Sequence, residues 1–332
     1  MLGALPGRPR VAPLAALMLL LAACENNGID LGFPAEDTGT VLVTAYLDRD
    51  GSRLPNFPLD TLFPNARVAL LLRGTGDTLR TALTNAIGVA SFTGVPLGEY
   101  RIGIVPSSLG DSILVGAIDS TNIRLQLKPD TVRSTARLTF PEVSLRQARG
   151  LPIGKRVFAR GIILSGVQSF RDTTSHVADS SSAIRLTRVV LRGGLIGNNP
   201  GDSVSVLGFT SVRLGQPTLD QAVITRFATR PAPIALQVNT GTAATANTGA
   251  LDASLVQVTG AAITDSATQA PDFRVTVTDG SGALVVLLDG NINFPRNNFA
   301  PGRSLNAKGV LVPNGLGGWS LKPRELADVI VF

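Results

Sequence analysis

Apolar residues follow two patterns along this chain. Near the start they form one unbroken block: after Arg8 and Arg10, residues 11–23 carry no charge, and the block stops at Cys24. From Thr40 onward they alternate instead. Val41, Val43 and Ala45 take every second place, as do Val68, Leu70 and Leu72, and then Ile102 and Ile104 after Tyr100. A period of two is the signature of a strand with one buried face. Turn-forming clusters separate the runs: Asp48-Arg49-Asp50-Gly51, Gly74-Thr75-Gly76-Asp77 and Asn85-Ala86-Ile87-Gly88. Short strands with frequent turns predict a small antiparallel sandwich over residues 38–128, with 129–142 as a last strand or linker.

The second half of the chain repeats itself. Arg156–Gly161 pairs with Leu255–Gly260, Val177–Ile184 with Val277–Leu284, and Pro200–Gly208 with Pro301–Gly309. The offsets are 99, 100 and 101 residues, so the register holds through three blocks. This is a tandem duplication of a β module. Each copy reads as five strands in the order expected of an OB-type barrel, placed at 143–232 and 250–332. Ser144 is the candidate N-cap of a short opening helix. The small-residue stretch Asn239–Gly249 reads as part of a linker, 233–249, between the copies. Leu284–Leu288 is too short to span a membrane and reads as a buried strand. The fold class is therefore all-β: one sandwich followed by two tandem OB-type barrels.

The N-terminal block has the order of a secretory signal: basic start, short apolar middle, small residues at the cut. At 13 residues it falls short of the ~20 that a membrane-spanning helix needs. Leu21-Ala22-Ala23-Cys24 resembles the lipobox of bacterial lipoproteins. That resemblance implies cleavage of residues 1–23 between Ala23 and Cys24, a diacylglycerol and further acyl chain (such as palmitate) on Cys24, and membrane attachment. Glu25, rather than Asp, follows the cysteine and leans toward an outer over an inner membrane. Residues 24–37, polar and broken, read as a tether. Thr84–Tyr100 resembles the late strands of carboxypeptidase-regulatory-like and serine-aspartate-repeat B-type adhesin domains, with a turn, a Phe, Gly-x-Pro and Gly-x-Tyr in that order. It implies an Ig-like or prealbumin-like sandwich acting as a spacer, with Phe92 and Tyr100 inward. Ser144–Gly154, Gly215–Leu219 and Leu321–Arg324 resemble segments of bacterial extracellular tandem OB-fold modules.

Composition narrows the chemistry. The net charge is +6 and the pI about 10.2, carried mostly by arginine, since the only lysines are Lys128, Lys155, Lys308 and Lys322. A basic balance permits nucleic acid, anionic lipid or acidic glycan and selects none of them. With one cysteine there is no intramolecular disulfide. His176, the only histidine, has no His or Cys companion and reads as a polar loop or edge residue. Asp179 and Asp279 occupy matching turn positions. No catalytic set, cofactor motif or phosphate loop is found, so the sequence points away from an enzyme. Asp48 and Asp50 are a weak calcium candidate, because calcium requires more oxygens than this short motif offers. Lys155, Arg156, Arg160 and Arg185 are the candidate nucleic-acid contacts, and Trp319 is the candidate platform for a sugar or base. The sequence reading is a membrane-anchored, non-catalytic envelope lipoprotein that binds or scaffolds. A protein partner ranks first, glycan second and nucleic acid third.

Overall fold

The computed structural model describes residues 38–332 apart from 58, 111, 120–121, 127–130, 192–198 and 232. The apolar block, Cys24 and the tether expected at 24–37 lie outside the described residues. The structure is all-β, with two packed sheets followed by two barrel-like closed sheets.

The first unit contains β1 (Thr38–Leu47), β2 (Thr61–Leu62), β3 (Arg67–Leu72), β4 (Thr78–Leu83), β5 (Val89–Pro96), β6 (Gly98–Ile104), β7 (Leu114–Ile118), β8 (Ile123–Leu125) and β9 (Thr131–Thr139). One sheet runs β2-β1-β9-β7 with β5 on the other side of β1, and the facing sheet runs β4-β3-β6-β8. The alternation read from the sequence becomes the core: Val41, Val43, Ala45, Val68 and Leu70 are all fully buried. Phe92 and Tyr100 point inward as the adhesin resemblance implied, and the Tyr100 hydroxyl donates to the Pro96 carbonyl at 2.7 Å. The segment 129–142 contributes more than a link. Its strand β9 lies parallel to β1 through eight registered pairs, from Thr40 against Thr131 to Leu47 against Leu138. Gly88 closes the turn at 85–88 with a φ of +69°, and a Cβ there would sit 2.6 Å from the Ala45 carbonyl oxygen. Only glycine fits.

The second unit has α1 (Leu145–Gly150), β10 (Arg156–Ser165), β11 (Ser175–Ala178), β12 (Ala183–Thr187), β13 (Val190–Leu191), β14 (Asp202–Arg213) and β15 (Gln216–Thr229). The third has β16 (Leu236–Gln237), α2 (Thr240–Ala244), β17 (Leu255–Gln269), β18 (Asp272–Thr278), β19 (Ala283–Leu288), β20 (Ser304–Pro313), β21 (Trp319–Lys322) and β22 (Val329–Val331). Number the five main strands of each 1 to 5. In both units 1 pairs 2, 2 pairs 3, 3 pairs 5 in parallel, 5 pairs 4, and 4 returns to 1. The sheet closes and leaves no free edge among these strands, an OB-like arrangement.

The repeat extends further than its sequence pattern suggested. The stretch Asn239–Gly249, which reads as linker in the sequence, carries α2, capped by the Asn239 side chain. Its residues Ala243 and Ala246 are buried in the third unit's core. It matches α1, which Ser144 caps in a reciprocal capping box with Gln147, and which buries Leu145 and Ala148 in the second unit's core. The matched aspartates tie each helix to its barrel. Asp179 accepts from the Ser181 N–H and hydroxyl and from the Leu145 N–H that opens α1. Asp279 accepts from the Ser281 N–H and hydroxyl and from the Thr240 N–H that opens α2. Runs of Ala, Thr and Gly have weak helical pattern, which is why α2 reads as linker.

Candidate functional site

The three units are joined by buried contacts, and these joints position the candidate sites. Phe158 and Leu207 of the second unit pack into the core of the first. Beside them the Ser205 hydroxyl donates to the Asp50 carbonyl at 2.6 Å, and Arg160 Nη2 donates to the Gly51 carbonyl at 2.7 Å. Between the barrels, Leu164, Phe170 and Ala183 pack on Ala253, Leu255 and Val310. Arg324, from the far barrel, donates to the Leu164 carbonyl and holds Asp328 through two of its nitrogens.

Next to that second joint lies a cleft of about 440 Å³. The first barrel contributes Arg171 and Asp172 from the β10–β11 loop, Arg185 from β12, and the hairpin pair Arg213 and Leu214. The second barrel contributes Pro271 and Asp272, Leu287 and Asp289, Val312 and Pro313, and Lys322. A hollow of about 300 Å³ continues it, sharing Leu214 and Pro313 and reaching Trp319. Several charges here are committed. The Lys322 ammonium lies 2.8 Å from Asp289 and 3.9 Å from Asp172, and 4.4 Å over the Phe170 ring. Asp289 also takes the Arg171 backbone N–H from across the joint. Burial would push Asp172 up, but the Lys322 charge and Thr174 hydrogen bonds hold its carboxyl below the usual range.

Arg185 is different. It is 4% exposed, and its Nη2 has no hydrogen-bond partner among the described residues. Burial, opposed by the fields of Asp252 and Asp172, holds its guanidinium below its ordinary value. Its cross-strand neighbour is His176, which the sequence placed at a loop or edge and the structure buries completely on β11. His176 Nδ1 lies 2.8 Å from the Ser165 hydroxyl, and the ring meets Phe170 edge-on at 5.9 Å. Burial, then the charges of Arg185 and Lys322, push the imidazole well below its ordinary value, so the ring is neutral. Ser165 and His176 have dyad-like spacing, yet both are 0% exposed and no substrate atom reaches them.

The other predicted residues fall elsewhere. Lys155 is exposed. The Arg156 guanidinium lies 4.5 Å over Phe140 and 5.2 Å over Phe209. Arg160 is held by Glu142 at 2.9 Å and by Gly51. Lys155 precedes β10 and Arg156 and Arg160 lie on it, apart from Arg185 on β12. Trp319 is half-buried, packs against the third unit's core and donates from its indole to Asp252 at 2.8 Å. Asp48 and Asp50 are joined by Asp60, which the local motif did not reveal, and oxygens of the three lie within 4.8 Å of one another. The loop uses these carboxylates itself: Asp48 takes the Gly51 N–H and Arg137, Asp50 the Ser52 N–H, and Asp60 the Arg49 and Asn56 N–H groups. Burial pushes Asp60 up, its two backbone hydrogen bonds oppose this, and the neighbouring carboxylates reinforce it.

No family model and no curated protein matches the sequence. Solved structures give distant likenesses. A minor pilin of Streptococcus agalactiae is 12% identical, over 31% of this chain and 45% of its own, with a TM-score of 0.24. A streptococcal ancillary pilin is 15% identical, over 59% and 60%, at 0.23. The Ifi202 HINa domain in complex with double-stranded DNA is 13% identical, over 55% and 97%, at 0.26. The chain thus spans less than half the length of the first pilin. Likeness at this level carries no functional argument.

Proposed function

We propose that this chain is a non-catalytic binding protein of the bacterial cell envelope, held to the membrane by lipid on Cys24 and displaying its β units as one body beyond a short tether. The observation that supports this reading is the continuity of the joints. Phe158 sits in the first unit's core, and Phe170 and Arg324 lock the two barrels. Such an arrangement suits a protein that presents a surface at a fixed distance from its anchor. An outer-membrane location is proposed from Glu25. A protein partner stands ahead of glycan and nucleic acid. Arg156 and Arg160 already face aromatic rings and Glu142, which leaves less of them to neutralise phosphates, and the Trp319 indole N–H is already bonded to Asp252.

Two acyl chains or more anchor a protein stably, at ~0.8 kcal/mol per buried methylene. The full chain expressed in a bacterium should therefore partition with membranes and incorporate labelled palmitate. Cys24→Ala should move it to the soluble fraction without label. Equal membrane retention and no label in either form would overturn the anchor.

A further inference from the structure

The geometry points to a binding site for a small organic carboxylate in the cleft between the barrels, anchored by the guanidinium of Arg185. Burying a guanidinium without a hydrogen-bonded anion is unfavourable, and a methionine of similar volume would pack there at less cost. Arg185 nevertheless lines the cavity with Nη2 buried and unsatisfied. A carboxylate in the cleft supplies an anionic partner to a guanidinium that enters no ion pair among the described residues.

The surrounding charges fit a single negative charge. The side chains lining the cleft comprise four cations (Arg171, Arg185, Arg213 and Lys322) and three acids, a surplus of one positive charge. The acids are engaged: Asp289 and Asp172 with Lys322, and Asp272 with the Gly290 N–H. Arg171 and Arg213, like Arg185, enter no ion pair among the described residues. Leu214, Pro271, Leu287, Val312 and Pro313 add apolar wall, so the ligand has an aliphatic or aromatic body behind its acid head. The volume lies within the range of small-molecule sites. A phosphodiester fits less well. It is flanked by nucleosides on both sides, whereas Arg185 is only 4% exposed.

Within the binding function proposed above, this names a ligand class for one site. Its failure would leave the Cys24→Ala fractionation unaffected, so the two readings fail separately. The experiment is calorimetric titration of the full chain with hexanoate, with hexanol, inorganic phosphate and a single-stranded oligonucleotide as comparison probes. Hexanoate should bind at one site, with hexanol and phosphate at least about tenfold weaker. Arg185→Met should weaken hexanoate about tenfold or more while its thermal midpoint stays level or rises, because the variant removes an unsatisfied buried charge. A merely structural Arg185 would instead lower the midpoint. Should Arg185→Met fail to fold, Arg213→Gln at the exposed hairpin should still weaken hexanoate several-fold. No hexanoate binding, equal binding of hexanol, equal binding by folded variants, or tighter binding of phosphate or oligonucleotide would each overturn the assignment.

Discussion

Arg324 shows how much one side chain carries here. The residue is 7% exposed, and its guanidinium donates to Asp328 through Nε and Nη2 at 2.8 and 3.1 Å and reaches the Leu164 carbonyl of the other barrel at 2.8 Å. Lys308 adds a second cation 3.0 Å from Asp328. Removing one partner of a buried pair leaves the other uncompensated, so Arg324→Ala should cost ~3–5 kcal/mol in urea unfolding. A loss below 1 kcal/mol would mean that water replaces the pair. Burial alone would raise the Asp328 carboxyl, but Arg324 and Lys308 hold it below its ordinary 3.8. A depressed acid stabilises above its unfolded value and loses that contribution as pH falls through its folded one. Acid titration should therefore show a stability loss beginning near pH 4 that Asp328→Asn removes. Asp60 runs the other way: its carboxyl is raised, so its contribution falls as pH climbs from the ordinary value to the raised one. Asp60 also shows where the sequence falls short. Asp48 and Asp50 are visible as a local motif, but only the folded loop brings in an acid ten residues beyond them.

Among the elements, strands were legible because burial imposes a period of two, and that period survives in Val41, Val43 and Ala45. Helices of five or six residues leave no such trace. α1 was readable only through its capping serine, and α2 was hidden in alanine and threonine. His176 reads as a loop or edge residue because the polar run Arg171–Ser175 leads into it, whereas β11 is buried along most of its length. The duplicated aspartates were legible as turn residues, but their second task, receiving a helix's first N–H, depends on the fold. Asp179→Ala should expose that task, costing ~0.5–2 kcal/mol and speeding amide exchange at Leu145 and Arg146. Unchanged exchange there would show that Ser144 alone holds the helix.

For the molecule as a whole, the all-β character and the repeat are legible in the sequence and the buried joints are not. Phe158 occupies an ordinary strand position in β10, yet it lies in the first unit's core and its ring blocks any Cβ at Gly51, which would sit 2.6 Å away. Phe158→Ala should therefore cost ~3–5 kcal/mol and weaken protection in the 48–53 loop as well as in β10, measurable by hydrogen exchange. Protection lost in β10 alone would mean the first two units are independent. The cleft was unreadable for the same reason, since Arg185 and Lys322 are 137 residues apart and meet only when both barrels close.

The parallel pairing of β1 with β9 has a mechanical meaning. The chain enters the first unit at the start of β1 and leaves it at the end of β9, and the two strands run side by side through eight registered pairs. Tension applied between the two ends of the unit pulls these neighbours past each other along their length. The ladder between them must then yield as a block rather than unzip pair by pair. Stretched from its ends in a force-spectroscopy trace, the first unit should resist as a shear clamp. Pro substituted at Val43, at the centre of that clamp, should lower the rupture force far more than the same change at Thr81 in the edge strand β4.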